Sequence, residues 1–156
     1  MACVREIDRP PEERVSLLDR EPTAADRAAD ESARLFAGLG IVRSRVALRD
    51  DDTQMLVGRD DGDGLYFTIQ QRGGGATGGG TRVELRERGA LVMLCGSGPR
   101  LFVGGIVADE VTAVRVGDVL ARLQSNAFLA EIDFDNTQVS VITTPDGDRE
   151  IGPRTR

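Results

Sequence analysis

The fold is decided by residues 41–70, which read IVRSRVALRDDDTQMLVGRDDGDGLYFTIQ. Three apolar runs lie in this stretch, at 41–48, 54–57 and 65–70, and segments rich in Asp and Gly separate them. Asp and Gly favour turns, because the Asp side chain bonds to nearby main chain and glycine accepts positive φ. We therefore predict three β-strands that follow one another through short turns.

The same spacing of short apolar runs and turns continues along the chain. Further strands are predicted at 81–86, 90–95, 101–107, 111–116, 119–123, 127–132 and 138–143, of which 119–123 also fits a helical turn. Polar and apolar residues alternate at 82–86 and around Val114, which predicts one solvent face and one core face. Short, evenly spaced strands are typical of a mainly-β fold, here an antiparallel sandwich or a partly open barrel.

The N-terminal part follows a different pattern. Residues 1–22 are polar, and we interpret them as a tail. Three of its residues are candidates for docking on the body: Val15, Leu17 and Leu18. Thr23 then fits the N-cap of a short helix that extends to Phe36 and ends at Gly38 or Gly40.

The length of 156 residues fits one domain. We predict a polar tail at 1–22, a single β-rich globular domain with an N-terminal helix at 23–152, and a short tail at 153–156.

The chain contains no His, Lys or Trp, and all 20 of its basic residues are arginines. Arginine stays protonated and cannot shuttle protons. These absences exclude a Ser-His-Asp triad, a Schiff-base lysine, a P-loop lysine and a His-ligated metal. We expect no cofactor, and the sequence assigns no catalytic, cofactor-binding or metal-binding residue. Of the two cysteines, Cys3 and Cys95, the second lies in an apolar run and is interpreted as a buried hydrophobe.

Net charge and the lack of long apolar stretches limit the partners and the location that we expect for the protein. The formal charge of −6 opposes binding to nucleic acid or to an anionic membrane. No stretch approaches the roughly 20 apolar residues of a membrane-spanning helix, and residues 1–8 lack the apolar core of a signal peptide. We therefore expect a cytoplasmic protein with a protein partner and leave its oligomeric state open.

Three segments carry a resemblance to known sequences: PTAAD at 22–26, GGIVADEVTAV at 104–114 and NAF at 126–128. They resemble a group of small, uncharacterised β-rich proteins of high-GC bacteria, whose members show R-P-x-T-A-A-D, G-L-V-P-D-G-V-x-x-V and N-A-F motifs. The resemblance implies a β-rich fold and no particular activity. Its members are often exported and carry a cysteine pair, whereas this chain has Leu65-Tyr66-Phe67 where one of those cysteines would stand.

Three segments are candidates for ligand sites. Gly73-x-Gly75-x-x-Gly78 matches the glycine spacing of a dinucleotide-binding loop, which needs a strand before it and a helix after it. Because 82–85 follows a strand pattern, we predict a flexible hairpin loop at 73–80. Oxygen ligands alternate at 60–64 and 133–137, but neither segment completes an EF-hand loop. We predict turns there, with a weak Ca²⁺ site as the alternative.

Carboxylates that border strands in the C-terminal half offer a route to hydrolysis without histidine. They are Asp109, Glu110, Glu131, Asp133 and Asp135. Asp109-Glu110 fits equally well as the turn of a hairpin. Five arginines are candidates for an anion site, although solvated arginines also keep a sheet soluble: Arg43, Arg45, Arg82, Arg86 and Arg88.

The sequence therefore predicts a non-enzymatic binding or interaction domain that contacts a protein partner through an exposed edge or through loops. The alternatives are a carboxylate-dependent hydrolase and a calcium-stabilised β module.

Overall fold

The computed structural model describes residues 8–28, 38–50, 52–71, 74–97, 100–132, 139–143 and 147–151. The strands in these ranges are β1 Arg43–Arg49, β2 Thr53–Arg59, β3 Gly64–Gln71, β4 Gly74–Thr81, β5 Ala90–Ser97, β6 Arg100–Val107, β7 Val111–Val116, β8 Val119–Leu120, β9 Arg122–Gln124, β10 Ala127–Ile132, β11 Val139–Thr143 and β12 Gly147–Ile151. The helices are α1 Ala24–Ala28 and α2 Arg82–Arg88, and short 3₁₀ turns lie at Pro11–Glu13 and Ser16–Asp19.

The strands form three four-stranded sheets. Their orders are β1-β2-β3-β4 in sheet A, β5-β6-β10-β9 in sheet B and β12-β11-β7-β8 in sheet C. Every pairing is antiparallel. The predicted mainly-β, antiparallel fold class is confirmed, and within the described ranges no sheet closes into a barrel.

Sheet B lies between the other two sheets. Its residue Ile106 belongs to a core shared with Phe67 of sheet A, whereas the next residue, Val107, belongs to a core shared with Val114 of sheet C. Successive side chains of a strand point to opposite faces, so one strand can serve two cores. The result is a compact domain of three stacked layers. Val114 is fully buried, as its place in the alternating pattern predicts.

Residues 82–88 form helix α2, so the strand predicted at 81–86 is wrong. Thr81 caps the helix, since its Oγ1 accepts a hydrogen bond from the Glu84 N–H at 3.1 Å. Gly89 ends it with a φ of 87°. Leu85 is buried and Val83 is exposed, whereas a strand would place both on one face. The Thr-x-x-Glu capping pattern was the better indicator here than the alternation of apolar residues.

Residues 74–81 form strand β4, so the flexible loop predicted at 73–80 is also wrong over its described part. The pairing of β4 with β3 runs without a register shift from Gly64↔Thr81 to Gln71↔Gly74. Glycine content indicated a loop because glycine weakens an isolated strand. Here the neighbouring side chains stabilise the strand, as described below.

The predicted 119–123 strand divides into β8 and β9, and β12 was not predicted. Helix α1 begins at Ala24, as expected, while the remainder of the predicted helix, at 29–36, lies outside the described residues. The N-terminal segment docks on the body as predicted: Val15 and Leu18 are fully buried and Leu17 is 5% exposed.

Candidate functional site

Strand β4 carries the most accessible main-chain edge of sheet A. Among the described residues it pairs with β3 alone. The Arg82 N–H donates to the Asp63 carbonyl at 3.0 Å, one step beyond the Gly64↔Thr81 pair. Bonded and non-bonded pairs alternate along an antiparallel ladder. The main-chain groups of Ala76, Gly78 and Gly80 therefore bond to β3. The N–H and C=O groups of the alternate residues, Gly75, Thr77 and Gly79, point away from β3.

These outward groups are open to solvent. Gly75 and Thr77 are exposed and Gly79 is partly exposed. Within the described part of the chain, no hydrogen bond reaches the outward N–H or C=O of the three residues. An edge of this kind is a template for another strand.

The inner face of β4 explains why glycine forms a strand here. A Cβ on Gly78 would lie 2.8 Å from the Phe67 ring, and a Cβ on Gly80 would lie 2.8 Å from Leu91. Because these side chains already fill the space beside the main chain, a larger residue at either position would have to displace them. The strand is stabilised by the side chains of its neighbours rather than by its own.

On the outer face of β4, too, a side chain of β3 occupies the space beside a glycine. Tyr66 lies opposite Gly79 in the ladder, and its Cδ1 atom is 3.0 Å from the place of a Gly79 Cβ. The Tyr66 hydroxyl is 3.3 Å from Asp60 Oδ2, which fixes the ring over the strand. Burial raises the pKa of Tyr66, as does the carboxylate of Asp60.

The opposite edge of sheet A, strand β1, is closed. Four of its outward main-chain groups bond to nearby side chains. Val46 donates to Asp26 at 2.7 Å and accepts from Arg20 at 3.3 Å. The Ser44 carbonyl accepts from Arg45 at 2.7 Å, and the Arg49 carbonyl accepts from Arg122 at 2.8 Å. A second strand cannot add to β1 while these bonds are present.

Asp26 is the centre of this closure. Its side chain is 5% exposed and accepts hydrogen bonds from Arg20 at 2.9 Å, from the Thr23 N–H and hydroxyl, and from Val46. Burial alone would raise the pKa of this carboxyl, but the donors outweigh burial and hold the pKa well below its ordinary value of 3.8. The PTAAD segment thus has a structural role.

A polar cleft of about 760 Å³ lies at the end of sheet A where β4 begins. The residues that line it are Arg49, Asp50, Asp52, Thr53, Gln54, Gln70 and Gln71. Gln70 lies opposite Gly75 in the ladder. The cleft therefore adjoins one end of the open edge, and the residues that line it include three glutamines.

The predicted turn at 60–64 is confirmed as a turn. Asp60 Oδ1 accepts the N–H groups of Gly62 and Gly64 at 2.9 and 3.0 Å, and Asp63 contacts Arg9 at 3.6 Å. Across the described residues, no three acidic or thiol side chains are grouped so as to hold a metal ion. The second predicted cluster, 133–137, lies outside the described residues.

The carboxylates considered for hydrolysis do not meet in one described pocket. Asp109 accepts hydrogen bonds from the Ser16 N–H at 2.9 Å and from Asn126 at 2.8 Å. Glu131 forms a two-point ion pair with Arg100, whose hydrogen bond lowers the pKa of this carboxyl. Glu110 lies in the turn beside Asp109. Asp133 and Asp135 lie outside the described residues.

The Asp109–Asn126 contact joins two of the three segments that carry the sequence resemblance. Asn126 donates to the Val107 carbonyl at 3.1 Å and accepts the Leu17 N–H at 3.1 Å. Its φ of 68° places it in a tight turn, where Asn is tolerated. These residues fix the N-terminal segment to sheet B, so their role is structural.

The five candidate arginines do not form one anion site. Arg43 and Arg45 lie on β1 and donate to the Leu18 and Arg20 carbonyls. Arg82 and Arg86 lie on α2 and bind Glu13, while Arg88 closes the same helix. Four of them therefore hold the N-terminal segment in place. Cys95 is only partly buried where it packs against the core shared by sheets A and B, and this burial raises the pKa of its thiol.

The open edge of β4 was not found from the sequence. A signal for the strand itself was present: the aromatic pair Tyr66-Phe67 in β3 stands opposite the glycines of β4, and aromatic side chains stabilise glycines across a strand pair.

In the part of the chain that is described, no helix has the length and apolarity needed to cross a bilayer.

No protein-family model, curated protein or solved structure matches this chain.

Proposed function

We propose that this chain is a protein-interaction domain, and that it binds an extended segment of its partner as a fifth strand of sheet A, added to β4. The observation that carries the proposal is the outward row of main-chain groups at Gly75, Thr77 and Gly79. Binding by strand addition draws its affinity from main-chain hydrogen bonds.

The composition of β4 favours this function. Sheet edges are normally protected by charged side chains, proline or a bulge. The strand reads GGATGGGT, with no charge and no proline, and its register with β3 has no bulge. The other edge of the same sheet is blocked by side chains, so a partner strand is directed to β4.

Binding is favoured over hydrolysis by the state of the carboxylates. Asp26, Asp109 and Glu131 each accept hydrogen bonds from neighbouring donors. A catalytic acid or base needs a free proton-accepting position and a pKa matched to its task, and hydrogen-bonded carboxylates of this kind act as structural acceptors.

The test uses a displayed library of random peptides of about nine residues, which spans the eight-residue strand. The library is selected on the wild-type chain, and the selected peptides are then measured on Thr77→Pro. Proline at 77 removes an outward N–H that the β3–β4 ladder does not use. Thr77→Val keeps the N–H and the shape of the side chain, and serves as the control.

We expect peptides that bind wild type and Thr77→Val but not Thr77→Pro. Their addition should shift the amide NMR signals of Gly75, Thr77 and Gly79 more than those of residues on β1. The proposal fails if the selected peptides bind Thr77→Pro equally well, or if no peptide rises above the Thr77→Pro background.

A further inference from the structure

We infer that the segment that adds to β4 carries a bulky apolar residue opposite Gly79 and, four residues later, a residue with a side-chain amide or hydroxyl opposite Gly75. This inference rests on the proposed function and specifies the chemistry of the partner.

The apolar position follows from the space around Gly79. Gly79 has no side chain, and the Tyr66 ring lies over it with Cδ1 3.0 Å from the place of a Cβ. On an added strand, the residue opposite Gly79 would point to the same outer face as Tyr66. Nothing on Gly79 separates the two side chains, so a large apolar group reaches the ring edge.

The chain already uses this arrangement on the other side of β4. Phe67 lies opposite Gly78, and its ring occupies the space where a Gly78 side chain would be. An aromatic residue beside a strand glycine shields the exposed main chain and stabilises the pair. A bulky residue of the partner would do the same for Gly79 from its open side.

The polar position follows from Gln70. It lies opposite Gly75, with its Cγ 3.6 Å from the place of a Gly75 Cβ. Gln70 lines the polar cleft, and the Gln54 side-chain amide, which also lines it, donates to Gln70 Oε1 at 3.4 Å. A side chain opposite Gly75 meets amides rather than apolar groups, and an amide or a hydroxyl can bond to them.

Strand direction fixes the order of the two positions. Every pairing in sheet A is antiparallel, and antiparallel pairs are slightly more stable per residue than parallel ones. A partner strand that runs antiparallel to β4 passes Gly79 first and Gly75 last. The apolar residue therefore precedes the polar one in the partner sequence.

The experiment measures synthetic peptides taken from the selection above, with Phe or Gly at the position opposite Gly79 and Gln or Leu opposite Gly75. We expect Phe to bind about three- to tenfold more tightly than Gly on the wild-type chain. Tyr66→Ala should reduce this ratio to about one while the Gly peptide binds as before. Tyr66→Phe keeps the ring and should retain the preference.

The matched variant at the other position is Gln70→Leu, which should reverse the preference for Gln over Leu. The inference fails if Phe and Gly peptides bind wild type equally, or if Tyr66→Phe and Tyr66→Ala behave alike. In either case the proposed function stands as long as Thr77→Pro abolishes binding. If Thr77→Pro binds every peptide as wild type does, the proposed function fails as well.

Discussion

The two edges of sheet A differ in how their main-chain groups are satisfied. On β1, the groups that point away from the sheet bond to side chains of Asp26, Arg20 and Arg122. On β4, the corresponding groups of Gly75 and Thr77 form no hydrogen bond with another described residue. Both strands are edge strands of sheet A. The difference between them therefore comes from the residues that lie beside each edge.

The closed edge depends on residues distant in sequence, whereas the open edge depends on local composition. Val46 and Asp26 are 20 residues apart, and Arg49 and Arg122 are 73 apart. On β4, in contrast, five of the eight residues are glycines, so few side chains of the strand can shield its edge. An edge is protected where distant residues bond to it, and it stays available where the strand has few side chains of its own.

The largest contrast should be seen in amide hydrogen exchange. The N–H groups of Gly75, Thr77 and Gly79 point to solvent, while those of Ala76 and Gly78 bond to β3. We expect the first group to exchange at least about tenfold faster than the second. The Val46 amide, which points outward on β1, should be protected because it donates to Asp26. Equal exchange along β4 would contradict the assigned ladder.

The same alternation predicts opposite effects of proline at neighbouring positions. Ala76→Pro removes a bond to β3 and should lower the free energy of unfolding by about 3 kcal/mol. Thr77→Pro removes only an outward N–H and should lower it by less than about 1 kcal/mol. Urea denaturation measures both. If the two variants are equally stable, β4 does not form the ladder described here.

The sequence predicted which strand residues face the core better than it predicted the elements α2 and β4. Val114 lies in the core, as its alternation indicated, because inward and outward residues are a local property of each strand. Helix α2 and strand β4 were missed because the choice depends on neighbours: Thr81 and Gly89 cap the helix, and Phe67 fills the space beside Gly78.

The candidate site was less predictable still. An open edge is defined by the hydrogen bonds that a strand does not make, and the sequence of β4 cannot show which distant residues approach it. The sequence did suggest contact through an edge or loops, but it named no strand. The closure of β1 by Asp26 was equally hidden, because nothing in the sequence links Asp26 of the PTAAD segment to Val46, 20 residues further along the chain.

Asp26→Ala should open the edge of β1. It leaves the Val46 N–H without its acceptor and removes the partner of Arg20, so we expect a loss of about 2 kcal/mol in the free energy of unfolding. Glu21→Gln changes an exposed acid nearby and is the control. The variant should also associate more readily at high concentration, measured by light scattering. A fully stable and monomeric variant would show that β1 is closed by other contacts.

The contribution of Asp26 to the free energy of unfolding should depend on pH. Its pKa is lower in the folded state than its ordinary value of 3.8, so the charged form stabilises the fold. This stability is fully present above the ordinary pKa and is lost as the pH falls towards the folded one. The stability difference between wild type and Asp26→Asn should therefore be constant from about pH 7 to pH 5 and shrink below about pH 4. A difference that grows in acid would contradict this assignment.

Among these variants, Arg122→Ala should lower the free energy of unfolding least. Its effect shows which of the bonds to the edge of β1 contributes most to stability. Arg122 donates to the Arg49 carbonyl at 2.8 Å and contacts Asp50 at 3.1 Å, but its side chain is 47% exposed. Surface pairs of this kind contribute little, so we expect a loss of less than about 0.5 kcal/mol that disappears in high salt. A loss as large as that of Asp26→Ala would mean that the edge is held along its whole length. A small loss places the closure at Val46, where a single buried carboxylate blocks the strand.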